Sequence, residues 1–366
     1  MNITGIVVEY NPFHNGHILH INKARELTNS NLIIACMSGN FTQRGEAAII
    51  NKWERTKMAL KYGVDLVVEL PFIYSSQCAS IFAKESVAIL KELKINTLVF
   101  GSETNNLEEL KDIASLPVNV DHLKQYLRNG ESYPKAYGLL NGGIYPNDSL
   151  AVHYLRALEG SDIKPYSIKR EGAYNDIKLS SLCSGKAIRE ALSNHIDIKD
   201  ATPMIINEPI FHSDIYPYLR NQLLLSDRNT IQKIFLVNEG IEKLLIDNAF
   251  KYDNYDDFLN ACVSKRYTKS RIERTILQIL IQNTKENMNN LEKPHYIRIL
   301  GFNDKGRAHL ATVKEELKLV TRFKELPQTM KNIEEKASYL YASLIHDENK
   351  RQEFLKREMM GPVIIK

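Results

Sequence analysis

The sequence predicts an α/β protein: a Rossmann-like domain with a parallel sheet over residues 1–198, then a mainly α-helical half over residues 199–366. Three observations predict it. Short β-branched apolar runs alternate with helical periodicity in the first half, the pattern of a parallel sheet covered on both faces. Helical stretches link successive runs, and right-handed crossovers of that kind place the strand ends on one edge, where such folds bind ligands. The alternation gives way to helical spacing alone around residues 195–203.

Residues 4–9 read as the first strand, followed by a turn and an amphipathic helix over 16–27. Residues 31–37 form a second buried strand, and 52–61 carry helical spacing through Trp53, Thr56, Met58 and Leu60. Residues 65–70 are a third strand stopped by Pro71; 76–93 are a long helix, and 96–100 a fourth strand ending at Gly101. A fifth strand at 163–170 and a closing helix at 184–192 complete the domain. Beyond it, helices are expected at 215–225, 230–235, 241–249, 272–282, 312–319 and 333–345, with a frayed surface helix at 350–357.

Composition narrows the class. Hydrophobic residues make up 43% and charged residues 25% of 366, as in ordinary globular proteins. No run reaches the about 18 consecutive apolar residues of a membrane span, and the start lacks signal-peptide character. Four scattered cysteines (Cys36, Cys78, Cys183, Cys262) lack paired spacing, so reduced thiols in a cytoplasmic protein are expected, not zinc or disulfides. The net charge of +4 does not by itself demand nucleic acid.

The chemistry concentrates in one turn. The first strand runs into Asn11-Pro12-Phe13-His14-Asn15-Gly16-His17 and then a helix. Pro12 restricts φ, and Gly16 permits close approach at the helix start. Free N–H groups and the helix dipole make that point an anion site. His14 and His17, three residues apart, can face one phosphate and stabilise charge on a pentacoordinate phosphorus. No covalent nucleophile is evident there, which suits in-line attack by the substrate.

This turn resembles the H-x-G-H signature of the nucleotidyltransferase superfamily. The longer string from Gly5 to His17 resembles bacterial tRNA(Met) cytidine acetate ligases. Further segments match in order: residues 39–46, 65–71, 101–103, 146–148, 168–170, 264–267 and 296–302. The resemblance implies activation of acetate by ATP to acetyl-adenylate, then acetyl transfer to the wobble cytidine of elongator tRNA(Met). It implies ATP contacts along Val7, Val8, Glu9, Tyr10, Asn11, Pro12, Phe13, His14, Asn15, Gly16, His17, Ile18, Leu19 and His20, and at Gly101, Asn147 and Arg170. Residues 184–189 resemble a second phosphate motif in which Arg189 reaches the triphosphate. Mg²⁺ is expected to arrive with ATP.

The basic balance of the C-terminal half is uneven. Lys265, Arg266, Lys269, Arg271 and Arg274 stand against Glu273 alone, and Tyr267 among them offers a face for base stacking. Arg298, Lys305 and Arg307, near Tyr296 and Phe302, suggest a second basic-aromatic group. Both suit a tRNA backbone. No obligate protein partner is evident. Two competing readings are a small-molecule adenylyltransferase of the nicotinate-nucleotide or pantetheine-phosphate type, and an RNA-binding module that only senses ATP. The first leaves the basic half without a task; the second leaves His14 and His17 without one.

Overall fold

The computed structural model describes every residue except 118–120, 123–124, 127–128, 130, 132, 141–142, 171–178, 290 and 292–295. Its centre is one eight-stranded sheet. Strands β1 (Ile3–Val8), β2 (Leu32–Ser38), β3 (Leu66–Leu70), β4 (Thr97–Ser102) and β5 (Lys164–Lys169) lie parallel in the order β5-β4-β1-β2-β3. The strand order reverses at β1, so the turn after β1 opens into the crevice between β2 and β4.

The five strands fall within a residue or two of the sequence reading. So do helices α1 (Asn15–Thr28), α2 (Lys52–Lys61) and α5 (Gly185–Ser193). The helix expected over 76–93 begins only at Ala79, giving α3 (Ala79–Glu92), after a separate turn of helix at Phe72–Ser75. Helix α4 (Pro146–Leu158) packs against α3 and covers one face of the sheet through Phe82, Val87 and Val152. Helices α1 and α2 cover the other face.

The C-terminal half is mainly helical, through α6 (Tyr216–Leu225), α7 (Ile241–Lys251), α8 (Tyr255–Cys262), α9 (Lys269–Leu280), α10 (Asp304–Val313), α11 (Gln328–Ser343) and α12 (Glu348–Met359). It also returns to the sheet: β6 (Ile297–Phe302) pairs antiparallel with β3, and β7 (Leu319–Val320) and β8 (Val363–Ile364) pair with β6. Strands β1 to β5 before residue 198 and β6 to β8 after it therefore belong to one sheet. The helix expected over 312–319 lies earlier, because the Asn303 side chain accepts from Gly306 N (3.0 Å) and starts α10 at Asp304. Leu319 instead pairs with Ile297.

A buried ionic cluster fastens this return. Lys52 Nζ lies 2.8 Å from Glu69 Oε1 and 3.0 Å from Glu358 Oε2. Arg298 bridges the same two carboxylates at 3.0 and 3.2 Å, and Trp53 Nε1 donates to Glu358 Oε1 (3.0 Å). Beside it, Glu334 accepts from Phe72 N (2.7 Å). Arg298 and Tyr296 are thus buried core residues, which corrects their reading as part of an exposed RNA surface. Only Lys305 and Arg307 of that group are exposed.

Candidate active site

The turn after β1 is held from four directions. Asn11 Oδ1 accepts from Ile49 N (2.8 Å), and Asn11 O accepts from the Arg189 guanidinium (2.7 Å). Thr202 Oγ1 donates to Phe13 O (2.6 Å), and Asn15 Nδ2 donates to Ser181 O and Asp200 O at 3.0 and 2.9 Å. Below, Arg55 donates to Glu9 O (2.6 Å), Ser38 O (3.1 Å) and Gly39 O, clamping the carboxyl ends of β1 and β2 together. The Tyr10 and Phe13 side chains pack into the core with Val8, so those positions can offer a ligand only backbone. Asn11 and Asn15 use their amides to fix the turn.

The two histidines replace the usual capping residues of α1. Gly16 N donates to His14 Nδ1 (3.1 Å), and His14 N donates to His17 Nδ1 (3.2 Å), a reciprocal capping box built from imidazoles. Each Nδ1 is an acceptor, so each neutral ring carries its proton on Nε2. The ring centroids lie 3.7 Å apart. Burial holds the His14 pKa down at about 4, with Arg170 and Arg189 adding to the effect. Burial first, and then His14, hold His17 well below the ordinary range. His20 is likewise lowered to about 4 by burial, then by Arg170. The pair is therefore two neutral N–H donors at a helix mouth. A Cβ at Gly16 would meet His14 Cε1 at 2.9 Å, so glycine is what lets the ring sit there.

Residues read from distant parts of the sequence converge on this edge. Arg170 N donates to Ser102 O (2.9 Å), carrying its side chain across Gly101, where a Cβ would lie 3.2 Å from Arg170 Cγ. Arg170 donates to Asn147 Oδ1 (3.3 Å). Ile18 is partly buried against the core and continues the same first turns of α1 as Leu19 and His20. Arg189 reaches the turn from α5, whose start packs so closely that a Cβ at Gly185 would meet Asn11 O at 2.9 Å. Ser184 Oγ caps that helix by accepting from Ala187 N (3.1 Å).

Three contributors escape a reading of single residues. Glu103 accepts from Asn147 Nδ2 (2.6 Å) and Asp148 N (2.9 Å), fixing which way the Asn147 amide points. Asp148 answers by accepting from Glu103 N (3.0 Å) and Thr104 N (3.1 Å). Glu46 joins Arg189 from the loop after β2. A matching triplet, residues 101–103, was the only sequence signal for Glu103.

The basic segment is partly neutralised. Arg271 and Arg266 pair with Glu239 at 2.9 and 3.4 Å, and Lys269 lies between Glu46 and Glu273. Lys265, Arg266 and Lys269 are exposed; Arg271 and Arg274 are half-buried, and Arg274 donates to Gln43 O (3.3 Å). Tyr267 is only 8% exposed, donates to Glu239 O (2.7 Å) and lies beneath Arg271, so it has no open face for a base. That corrects its stacking role.

A parallel sheet with paired neutral imidazoles at its switch point defines a nucleotidyl transferase of the HIGH type. A family model described as HIGH Nucleotidyl Transferase matches residues 1–357. The chain is 38% identical to the tRNA(Met) cytidine acetate ligase of Caldicellulosiruptor saccharolyticus over 88% of this chain and 87% of that protein. It is 38% identical to that of Anoxybacillus flavithermus over 99% of both. The crystal structure of Thermotoga maritima TmcAL bound with alpha-thio ATP matches with a TM-score of 0.88 at 32% identity, covering 100% of both chains. The chain belongs to the tRNA(Met) cytidine acetate ligase family of HIGH nucleotidyl transferases.

Proposed function

We infer that the chain uses ATP to activate acetate and transfers the acetyl group to the wobble cytidine of elongator tRNA(Met). The observation that carries the reading is the His14–His17 pair at the mouth of α1, in a chain whose relatives of that name match it nearly end to end. An acetate oxygen attacks the α-phosphorus in line and pyrophosphate leaves. Nε2–H of His14 and of His17 donates to the phosphoryl oxygens as charge builds on them. The cytidine amine then attacks the acetyl carbon of the mixed anhydride and AMP departs.

Arg189 and Arg170 stand where they can pair with the triphosphate, as charge-assisted donors. Asn147, oriented by Glu103, faces the nucleotide across Gly101. Mg²⁺ arrives as part of the MgATP substrate and offsets the charge of the leaving pyrophosphate. Among the described residues there is no group of three or more His, Cys, Asp or Glu placed as a metal site. Residues 1–198 carry the adenylation chemistry, and Lys265, Arg266, Lys269, Arg271 and Arg274 supply contacts to the tRNA backbone. Among the described residues no helix is long and apolar enough to cross a membrane.

Acetate-dependent exchange of labelled pyrophosphate into ATP tests this. The purified chain should catalyse it with acetate, and should not join ATP to nicotinate mononucleotide or phosphopantetheine. Turnover with either of those, and none with acetate, would make it a small-molecule adenylyltransferase instead.

A further inference from the structure

The loop over residues 42–47 touches the ATP turn on one side and the basic helix α9 on the other. It is a tight hairpin, closed by Thr42 N donating to Glu46 O (2.9 Å) and Gly45 N donating to Thr42 O (3.0 Å). Gln43 N donates to Glu9 Oε1 (2.6 Å) at the end of β1. On the other side Gly45 has φ +89°, and a Cβ there would lie 2.5 Å from Arg274 N and 2.7 Å from Glu273 C. The hairpin backbone therefore rests directly on α9.

At its end stands Glu46, 19% exposed, with one carboxylate oxygen on each of two cations. Oε2 lies 3.7 Å from Arg189, and Oε1 lies 3.8 Å from Lys269. Arg189 also holds Asn11 O in the ATP turn (2.7 Å), whereas Lys269 is 58% exposed at the start of α9. Arg44 also faces Glu46 with favourable charge. His212 accepts from Ala47 N (3.1 Å) through Nδ1 and is held neutral by burial. Beneath Lys269, Glu273 is 2% exposed, 3.6 Å from Nζ, and accepts from Tyr255 Oη (3.4 Å). Burial, with Glu46 adding to it, pushes the Glu273 pKa up to about 8, so Glu46 is the charged carboxylate of the two at neutral pH.

The separations from Glu46 are ion-pair distances longer than hydrogen bonds, so either cation can be drawn off by a nearby phosphate. Removing one leaves the carboxylate to hold the other more strongly. Removing both leaves Glu46 with much of its charge uncompensated beside Glu273.

We propose that Glu46 is a positioning residue that sets triphosphate and RNA against each other, because each ligand must withdraw its own cation from this one carboxylate. The proposal rests on the assignment above of Arg189 to the triphosphate and Lys269 to the tRNA backbone. While ATP holds Arg189, Glu46 retains Lys269 and RNA binds weakly. Once pyrophosphate has left, Arg189 returns to Glu46, Lys269 is held less strongly, and RNA engages an enzyme that already carries the activated acyl group. The coupling is reciprocal, so RNA weakens triphosphate binding by the same factor.

The test is fluorescence anisotropy of a labelled tRNA(Met) transcript with the full chain, in saturating α,β-methylene-ATP and in saturating AMP. The Kd for RNA should be about five-fold weaker with the triphosphate analogue, at the low end of allosteric couplings because Glu46 is partly solvated. In Glu46→Gln the ratio should fall to near one, with tighter RNA binding in both states. An unchanged ratio in that variant, or a ratio of one in the unaltered chain, overturns the proposal. Lys269→Gln gives a second route: it should weaken RNA binding and also lose the ratio. Weakened binding with the ratio kept sinks the coupling alone, whereas unchanged RNA affinity sinks the underlying assignment of Lys269 as well. Calorimetric binding of the analogue to each variant confirms that the ATP site is folded.

Discussion

At the scale of single residues, His14 and His17 are bound into the backbone at Nδ1, and that fixes what they can do at Nε2. A neutral donor needs no proton from solvent. Because burial lowers the His14 pKa to about 4, the donor state persists well below the ordinary imidazole range. Acetate-dependent pyrophosphate exchange should therefore stay flat from pH 8 to about 5.5 once stability is controlled for. An acid limb centred near 6.5 would contradict the neutral-donor account. His14→Ala and His17→Ala should each lower the exchange rate about 10²- to 10³-fold, the usual cost of losing one donor to developing charge. A loss confined to KM would mean the rings bind ATP without acting on the transition state. The histidine spacing and the glycine between the rings were legible in the sequence. Glu103 was not, because its task is to orient Asn147, and an orienting carboxylate leaves no spacing of its own.

Among the elements, the strands were the most legible, since β1 to β4 are mainly apolar runs buried on both faces. Strand β6 is buried in the same way, yet it stands within an otherwise helical half. Its partner β3 lies more than two hundred residues earlier, and no local pattern reveals such a pairing. The hairpin over 42–47 is another element whose meaning is wholly tertiary. Gly45 stands at φ +89° against α9, so Gly45→Ala should destabilise the chain by about 1–3 kcal/mol in urea denaturation. It should leave pyrophosphate exchange within a few-fold. Unaltered stability would mean the hairpin is not seated on the helix. The basic stretch at 265–274 shows the limit of reading charge from sequence. Its sum is positive, but Glu239 and Glu46, from two other places in the chain, answer much of it.

For the whole molecule, the sheet and the helical half share one hydrophobic cluster, joining Ile6 and Trp53 to Phe258, Ile276 and Tyr341. The buried cluster of Lys52, Glu69, Arg298 and Glu358 ties α12 and β6 to α2 and β3. Glu358→Ala would leave two buried cations sharing Glu69, and should cost about 3–5 kcal/mol in a single cooperative transition. Independent unfolding of the two halves would contradict the shared core. Glu334 beside it titrates in the opposite sense to a surface carboxylate. Burial raises its pKa to about 7, with Glu69 adding to the effect, so its stabilising neutral form is complete below pH 4.5 and is lost as pH rises to 7. Glu334→Gln cannot ionise, so its Tm relative to the unaltered chain should climb across that window; a constant difference would refute the buried neutral acid. What the whole chain is for comes down to one modified base. The most direct measurement is nucleoside mass spectrometry of elongator tRNA(Met) incubated with the purified chain, ATP and ¹³C-labelled acetate. Labelled acetylcytidine at the wobble position, absent when ATP is omitted and lost in His14→Ala, is the result predicted here. Unmodified cytidine in the complete reaction, with the chain folded and binding ATP, would contradict the account.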